Sequence, residues 1–168
     1  NKMPISISNE EILETINMVE KEHFDVRTIT MGISLLPCIR EDAKKTAELC
    51  YDRICKKAEN IVKVAEELGA EYGIPIINKR VSITPASLLT SSFCGKEVVL
   101  AKALDKAAKT VGIDFLGGYS ALVHKGMADY EKSFIESIPE ALAVTDRLCS
   151  SVNVGSSKAG INMDAVAL

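Results

Sequence analysis

Tryptophan is absent, and four Tyr and four Phe make up the whole aromatic complement, 5% of the 168 residues. The core therefore has to be built from aliphatic side chains, which a 47% hydrophobic content supplies. Lysine and arginine number 20 against 23 acidic residues, a net charge of −3 with no basic block. The electrostatic footprint of a nucleic-acid-binding protein is thus lacking. No apolar run reaches the roughly 18 residues of a membrane span, and the opening NKMPISISNEE is not a secretory signal. The two histidines, His23 and His124, stand far apart with no H-x-x-x-H or mixed Cys/His spacing, so no metal motif is present. The five cysteines (Cys38, Cys50, Cys55, Cys94 and Cys149) are odd in number and form no C-x-x-C pair. Together with the absent signal this predicts reduced thiols and a cytoplasmic protein. No residue pattern names a cofactor.

What is present is an alternation of helix and strand signals. Ser8 followed by Glu11 predicts a capping box for a helix through Ile12, Ile16 and Val19 to about Glu22. Residues 26–36 (VRTITMGISLL) are rich in β-branched types and predict a first strand. Asp42 opens one long helix with apolar positions at Ala47, Cys50, Ile54, Ala58, Ile61, Ala65 and Leu68, ended by Gly69 or Gly73. Residues 75–84 predict a second strand, with Thr84 as N-cap and Pro85 at the first position of a short helical turn. A helix over 96–111 stops at Gly112, a third strand covers 113–123, a helix runs over about 130–147, and a fourth strand covers 148–155. The chain then passes Gly160-Ile161-Asn162-Met163 into what looks like a new helix ending at Leu168. This order predicts an α/β fold over 1–168, a single domain of parallel strands joined by right-handed crossovers. Four such strands make a small open sheet or part of a closed barrel.

Parallel strands covered on both faces normally read as continuous apolar runs. These strands instead alternate. Ile29, Met31, Ile33 and Leu35 share one face of the first, against Thr28, Thr30, Gly32 and Ser34. In the second, Ile77, Val81 and Ile83 oppose Asn78, Arg80, Ser82 and Thr84, and in the fourth Val152 and Val154 oppose Ser151, Asn153 and Gly155. The third is ambiguous, with Phe115, Tyr119, Ala121 and Val123 opposite Asp114, Leu116, Gly118, Ser120 and Leu122. A face of small hydroxyl-bearing residues, poor in Lys and Glu, predicts a polar lumen rather than a wet outer surface.

The segments DVRTITMGISLL followed by Cys38-Ile39, GIPIINKRVSITP, VVLAKALDKAAK, DFLGGYSALVHKG, SIPEALA and CSSVNVGSSKAGINM resemble the bacterial and archaeal "PFL family" proteins of unknown function. The resemblance implies a fold like that of pyruvate formate-lyase and other glycyl-radical enzymes, a large β/α barrel closed from two sets of parallel strands. It also implies a homodimer and an ACT-domain protein as partner. Members of that family are far longer, so the chain is expected to be the N-terminal part of the larger barrel. No glycyl-radical motif occurs in it, and fold likeness does not carry radical chemistry with it.

Ligands in α/β folds bind beyond the carboxyl ends of the strands. Arg80, on the polar face of the second strand, is suited to a carboxylate or phosphate in a bidentate fork, or else to a structural ion pair. Ser82, Thr84, Gly118, Ser120, Ser151 and Asn153 are candidates to line the same space. Gly155, Ser156 and Lys158 lie in a turn that either cradles an anion or needs glycine only for its backbone angles. It is not a Walker loop. For Gly117-Gly118 the alternative is close backbone packing or a bulge. A nucleophilic or radical thiol has to be exposed, and Cys38, just past the first strand, is best placed, whereas Cys149 and Cys50 are expected to be buried. The functional expectation is a small anionic metabolite bound in a polar lumen, or else a regulatory or scaffold protein working with an ACT-domain partner.

Overall fold

The computed structural model describes residues 8–21 and 27–168. Glu22, His23, the expected strand start at Val26 and the side chains of Glu11 and Val19 lie outside the described residues. The elements are α1 (Asn9–Glu20), β1 (Thr28–Ile33), a 3-10 turn (Leu36–Cys38), α2 (Ala43–Lys57), α3 (Ile61–Tyr72), β2 (Asn78–Ile83), α4 (Ala86–Thr90), α5 (Glu97–Val111), β3 (Phe115–Leu122), α6 (Asp129–Ala143) and β4 (Leu148–Asn153). A two-stranded antiparallel hairpin of β5 (Gly155–Ser156) and β6 (Gly160–Ile161) precedes α7 (Met163–Ala167).

The four long strands form one parallel sheet in the order β1-β2-β3-β4. Every crossover therefore steps the same way along the sheet, and right-handed crossovers then place all the connecting helices on one face. Burial follows that rule. Ile33, Val81, Ile83, Leu116, Tyr119, Ala121 and Leu148 are buried beneath the helices, in one core with Ile54, Leu89, Leu100, Leu104 and Phe134. Thr30, Gly32, Arg80, Ser82, Cys149, Ser151 and Asn153 are exposed on the other face. The aliphatic and polar faces expected for β1, β2 and β4 are thus the covered and open faces of the sheet.

The sequence anticipates the helix ends at the residues that satisfy them. The Asp42 carboxylate accepts from Lys45 N–H at 2.8 Å and caps α2. Gly73 (φ 67°) and Gly112 (φ 82°) take the left-handed conformation that stops α3 and α5. Asp105, in the core-facing side of α5, accepts from the backbone N–H groups of Asp146 (3.0 Å) and Arg147 (2.8 Å) and pairs with Lys109 at 2.7 Å, tying α5 to the start of β4. Tyr119 is wholly buried, its ring 4.6 Å from that of Phe134 and its hydroxyl 3.1 Å from Ser137 Oγ.

Three expectations are corrected, and one choice left open for the third strand is resolved. The long helix from Asp42 is two helices, because the chain breaks at Ala58 (φ −101°, ψ 11°), whose carbonyl accepts from Ile61 N–H at 3.1 Å. Ala58 and Ile61 are both buried, so the apolar row runs on across the break. The first strand ends at Ile33, since Pro37 draws Leu36–Cys38 into a 3-10 turn. Thr84 is not the N-cap of α4, which is Pro85; its Oγ1 accepts instead from Leu35 N–H at 3.1 Å, joining the ends of β2 and β1. In β3, Gly118 (φ 113°) is a bulge: the pairing with β4 steps from Gly117 opposite Cys149 to Tyr119 opposite Ser150. One inserted residue inverts the alternation, so Leu116 shares the core face with Tyr119, Ala121 and Val123, while Phe115 turns to the open face at 40% exposure.

Candidate functional site

Register fixes which side chains meet on the open face of the sheet. One row across the strands is Thr30, Arg80 and Phe115; the next is Gly32, Ser82, Gly117 and Cys149. Gly117 has no side chain, and a Cβ built there meets nothing within 4 Å. Its neighbours Ser82 and Cys149 stand on strands either side of it, roughly 9–10 Å apart at two strand spacings. The result is a notch of 350 Å³ floored by Gly117 and walled by Thr30, Arg80, Ser82, Phe115 and Cys149.

Arg80 lies with its guanidinium carbon 5.4 Å from the centre of the Phe115 ring, on its face. Among the described residues no carboxylate pairs with it, and no acidic side chain lines the notch. A guanidinium over a ring face is suited to bidentate recognition of a planar carboxylate or a phosphate. The Ser82 hydroxyl and the Cys149 thiol add further polar contacts to the same space.

The other expected residues divide between two tasks. Ser151 and Asn153 continue the open face along β4 toward its carboxyl end. Thr84, Gly118 and Ser120 serve the backbone: Thr84 joins two strands, Gly118 forms the bulge, and buried Ser120 donates to Gly118 O at 3.3 Å. Gly155 and Ser156 belong to the hairpin rather than to a loop leading directly into a helix. Gly155 N–H donates to Asn153 Oδ1 at 3.3 Å, and Ser156 Oγ accepts from Ala159 N–H at 3.1 Å. Lys158 sits at the tip of that hairpin and lines a separate cleft of 630 Å³ with His124, Lys125, Asn162 and Asp164.

The cysteines reverse their expected places. Cys38 is buried, its Sγ donating to Leu49 O at 3.5 Å in the core, because the 3-10 turn folds it back onto α2. Cys149, expected inside, is exposed on the notch, since it falls on the open-face parity of β4. Burial, with the neighbouring Cys38 and its hydrogen bond, pushes the Cys50 thiol up to about 12 against a smaller opposing effect of Arg53, leaving it protonated and inert. Phe115, Thr30 and Cys149 are notch residues that sequence reasoning did not select as ligand-binding candidates, while Gly117 was weighed there only together with Gly118. The alternation that exposed Arg80 and Ser82 also marked Thr30, but Phe115 was hidden by the bulge. Among the described residues no group of three or more His, Cys, Asp or Glu is placed to hold a metal ion, and no helix is long and apolar enough to cross a membrane.

Residues 17–168 match the family described as Uncharacterised ACR (DUF711). The chain belongs to this family. It is 55% identical over 163 residues to a UPF0210 protein of Clostridium perfringens, covering 96% of this chain and 36% of that protein. A UPF0210 protein of Ligilactobacillus salivarius is 57% identical over 157 residues (93% of this chain, 35% of the relative). One from Streptococcus pneumoniae serotype 4 is 58% identical over 158 residues (94% and 36%). The chain thus spans about a third of the length of the curated relatives it matches. The DUF711 match agrees with the expectation of a family of unknown function, and the names of these relatives state no activity.

Proposed function

We propose that the four β/α units form an arc of a larger β/α barrel of the pyruvate formate-lyase type, and that the open face of the sheet is its polar lumen, where Arg80 holds a small anionic metabolite. The observation that carries this reading is the strand order. A sheet wound in one direction, with helices on one side only, leaves a second face that is exposed in isolation, and closing into a barrel is the common way such a sheet covers it. A doubly wound sheet would instead reverse its order and cover both faces. Edge strands β1 and β4 each present an unpaired backbone edge to be continued, and the relatives have ample further chain to continue them. The composition of the face supports the ligand class: one unpaired guanidinium, hydroxyls, a thiol and a glycine gap, with no carboxylate.

The test is a thermal-shift screen of the full chain against small carboxylates and phosphates. Ligand at about 100 times its Kd stabilises by roughly 2.7 kcal/mol. A rise in Tm for wild type that Arg80→Ala abolishes supports the reading. No ligand-dependent shift, or the same shift in the variant, overturns it.

A second reading rests on α1, whose Ile12 (47%), Leu13 (59%) and Ile16 (45%) are exposed. Such a stripe suits a regulatory or scaffold protein that packs against an ACT-domain partner or a second copy of itself. Purification of the full chain as a monomer that binds no ACT-domain protein counts against it.

A further inference from the structure

At the carboxyl ends of β3 and β4 the chain builds a second concavity, on different residues from those around Arg80. Beyond Leu122, residues His124–Met127 turn tightly, with Gly126 N–H donating to Val123 O at 3.2 Å and Gly126 at φ 135°. Facing this turn is the β5-β6 hairpin, which is pinned in place rather than merely adjacent. Asn162 Nδ2 donates to Val123 O at 2.8 Å, and Asn162 N–H donates to Val154 O at 2.8 Å. Between turn and hairpin lies the 630 Å³ cleft, within the range of small-molecule sites. It is separated from the Gly117 notch by the six residues 118–123, about 20 Å at strand rise.

Its lining has a consistent chemistry. Lys125 comes from one wall and Lys158 from the other, and neither forms an ion pair among the described residues. Asp164 is the only carboxylate in the lining, and Met127 and Ile161 supply apolar surface. His124 has its Nδ1 sealed from solvent with no hydrogen-bond partner among the described residues. A buried N–H left unpaired is costly, which favours the tautomer with its N–H on Nε2, a donor on the other edge of the ring. Two ammonium groups and an imidazole N–H on opposing walls match a compact dianion, and the apolar remainder leaves room for the body of a metabolite.

We propose that this cleft is a binding site for a phosphomonoester, with Lys125 and Lys158 closing on the phosphoryl group from opposite walls and His124 donating to it. The position agrees with the rule that ligands of parallel β/α folds bind beyond the carboxyl ends of the strands. A dicarboxylate presents the same double charge with a different shape, and the test separates the two.

The 168 residues hold two histidines, and the His124→Gln variant identifies the His124 ring signals of the ¹⁵N-histidine-labelled full chain. Titration with inorganic phosphate, glycerol 3-phosphate and succinate is followed by those signals and by calorimetry. The expected result is saturable movement of the His124 signals with glycerol 3-phosphate, at an affinity at least about tenfold higher than with succinate, equivalent to about 1.4 kcal/mol. Lys158→Ala and Lys125→Ala, both at exposed positions, each weaken the His124 response about tenfold or more, and Lys63→Ala, at an exposed position on α3, leaves it unchanged. Unmoved His124 signals, equal affinities in the lysine variants, or preference for succinate overturn the proposal. Loss of binding in Arg80→Ala alone transfers the ligand to the Gly117 notch and also overturns it.

Discussion

Two adjacent glycines in β3 should respond oppositely to the same added methyl group. At Gly118 the backbone has φ 113°, and a Cβ would stand 2.6 Å from both Ile83 Cγ1 and the Ile83 carbonyl oxygen. The side-chain atom can move aside; the carbonyl, part of β2, cannot without disturbing the ladder. Holding alanine at that φ costs about 1–3 kcal/mol, and forcing a methyl into a packed strand costs about 1–3 kcal/mol more. Gly118→Ala should therefore lose roughly 2–6 kcal/mol, a large part of a typical total of about 5–15 kcal/mol. At Gly117 the backbone φ is not positive, and the same methyl meets nothing within 4 Å. Gly117→Ala should remain within about 1 kcal/mol of wild type, because less backbone entropy is lost on folding. Its methyl nevertheless fills the floor of the notch, so ligand held by Arg80 should bind more weakly to a fully folded protein. Urea denaturation of the full chain, followed by circular dichroism, ranks the two variants by midpoint. Gly118→Ala no less stable than Gly117→Ala would refute both the bulge and the account of the open face built on it.

Three further perturbations test other parts of the structure. Burial alone would raise the Asp105 carboxyl, but the Lys109 hydrogen bond and the Arg147 and Asp146 N–H groups outweigh it and hold it below its ordinary value. The stability this confers is present above the ordinary carboxyl range and lost as pH falls through the lowered value. Asp105→Asn should cost about 2 kcal/mol at neutral pH, the deficit shrinking below about pH 4, as read from urea midpoints across pH; a pH-independent deficit contradicts it. Tyr119→Phe removes a hydroxyl bonded to Ser137 inside the core and should cost about 1 kcal/mol in the same assay, with no loss at all as the contrary result. In the native chain a thiol reagent should modify exposed Cys94 and Cys149 and spare buried Cys38 and Cys50, checked by peptide mass mapping; rapid labelling of Cys38 would place it outside the core.

The sheet was legible because its alternation is unusual for parallel strands. Thr28-Ile29-Thr30-Met31-Gly32-Ile33 and Arg80-Val81-Ser82-Ile83 announce one covered and one open face before any pairing is known. Gly112 and Asp42 likewise mark helix ends through backbone chemistry local to them. Three features were illegible for physical reasons. The bulge at Gly118 is one residue of phase, and periodicity averages over it, so the faces of β3 stayed ambiguous and Phe115 was grouped with Tyr119, Ala121 and Val123. The break at Ala58 is bridged by apolar spacing that serves both helices, since Ala58 and Ile61 are three apart as they would be in a single helix. The exchange between Cys38 and Cys149 depends on where β1 stops and on which parity β4 adopts, both set by tertiary pairing. Lys158 stands out in the sequence as a side chain at a glycine-rich turn, but the residues that line the cleft with it, His124 and Lys125, come from a distant segment that only the fold brings opposite it.

The central claim, that the polar face of the sheet is an interior, is tested most directly at Cys149. In the full-length protein, in which the barrel is proposed to close, Cys94→Ser is introduced, and Cys149 is treated with iodoacetamide and, separately, with a maleimide bearing a bulky polyethylene glycol. A lumen admits the small reagent and excludes the large one, so iodoacetamide should modify Cys149 while the bulky maleimide leaves it unmodified until the protein is unfolded. Ready reaction of Cys149 with both reagents in the native protein would show a face open to solvent and contradict the account.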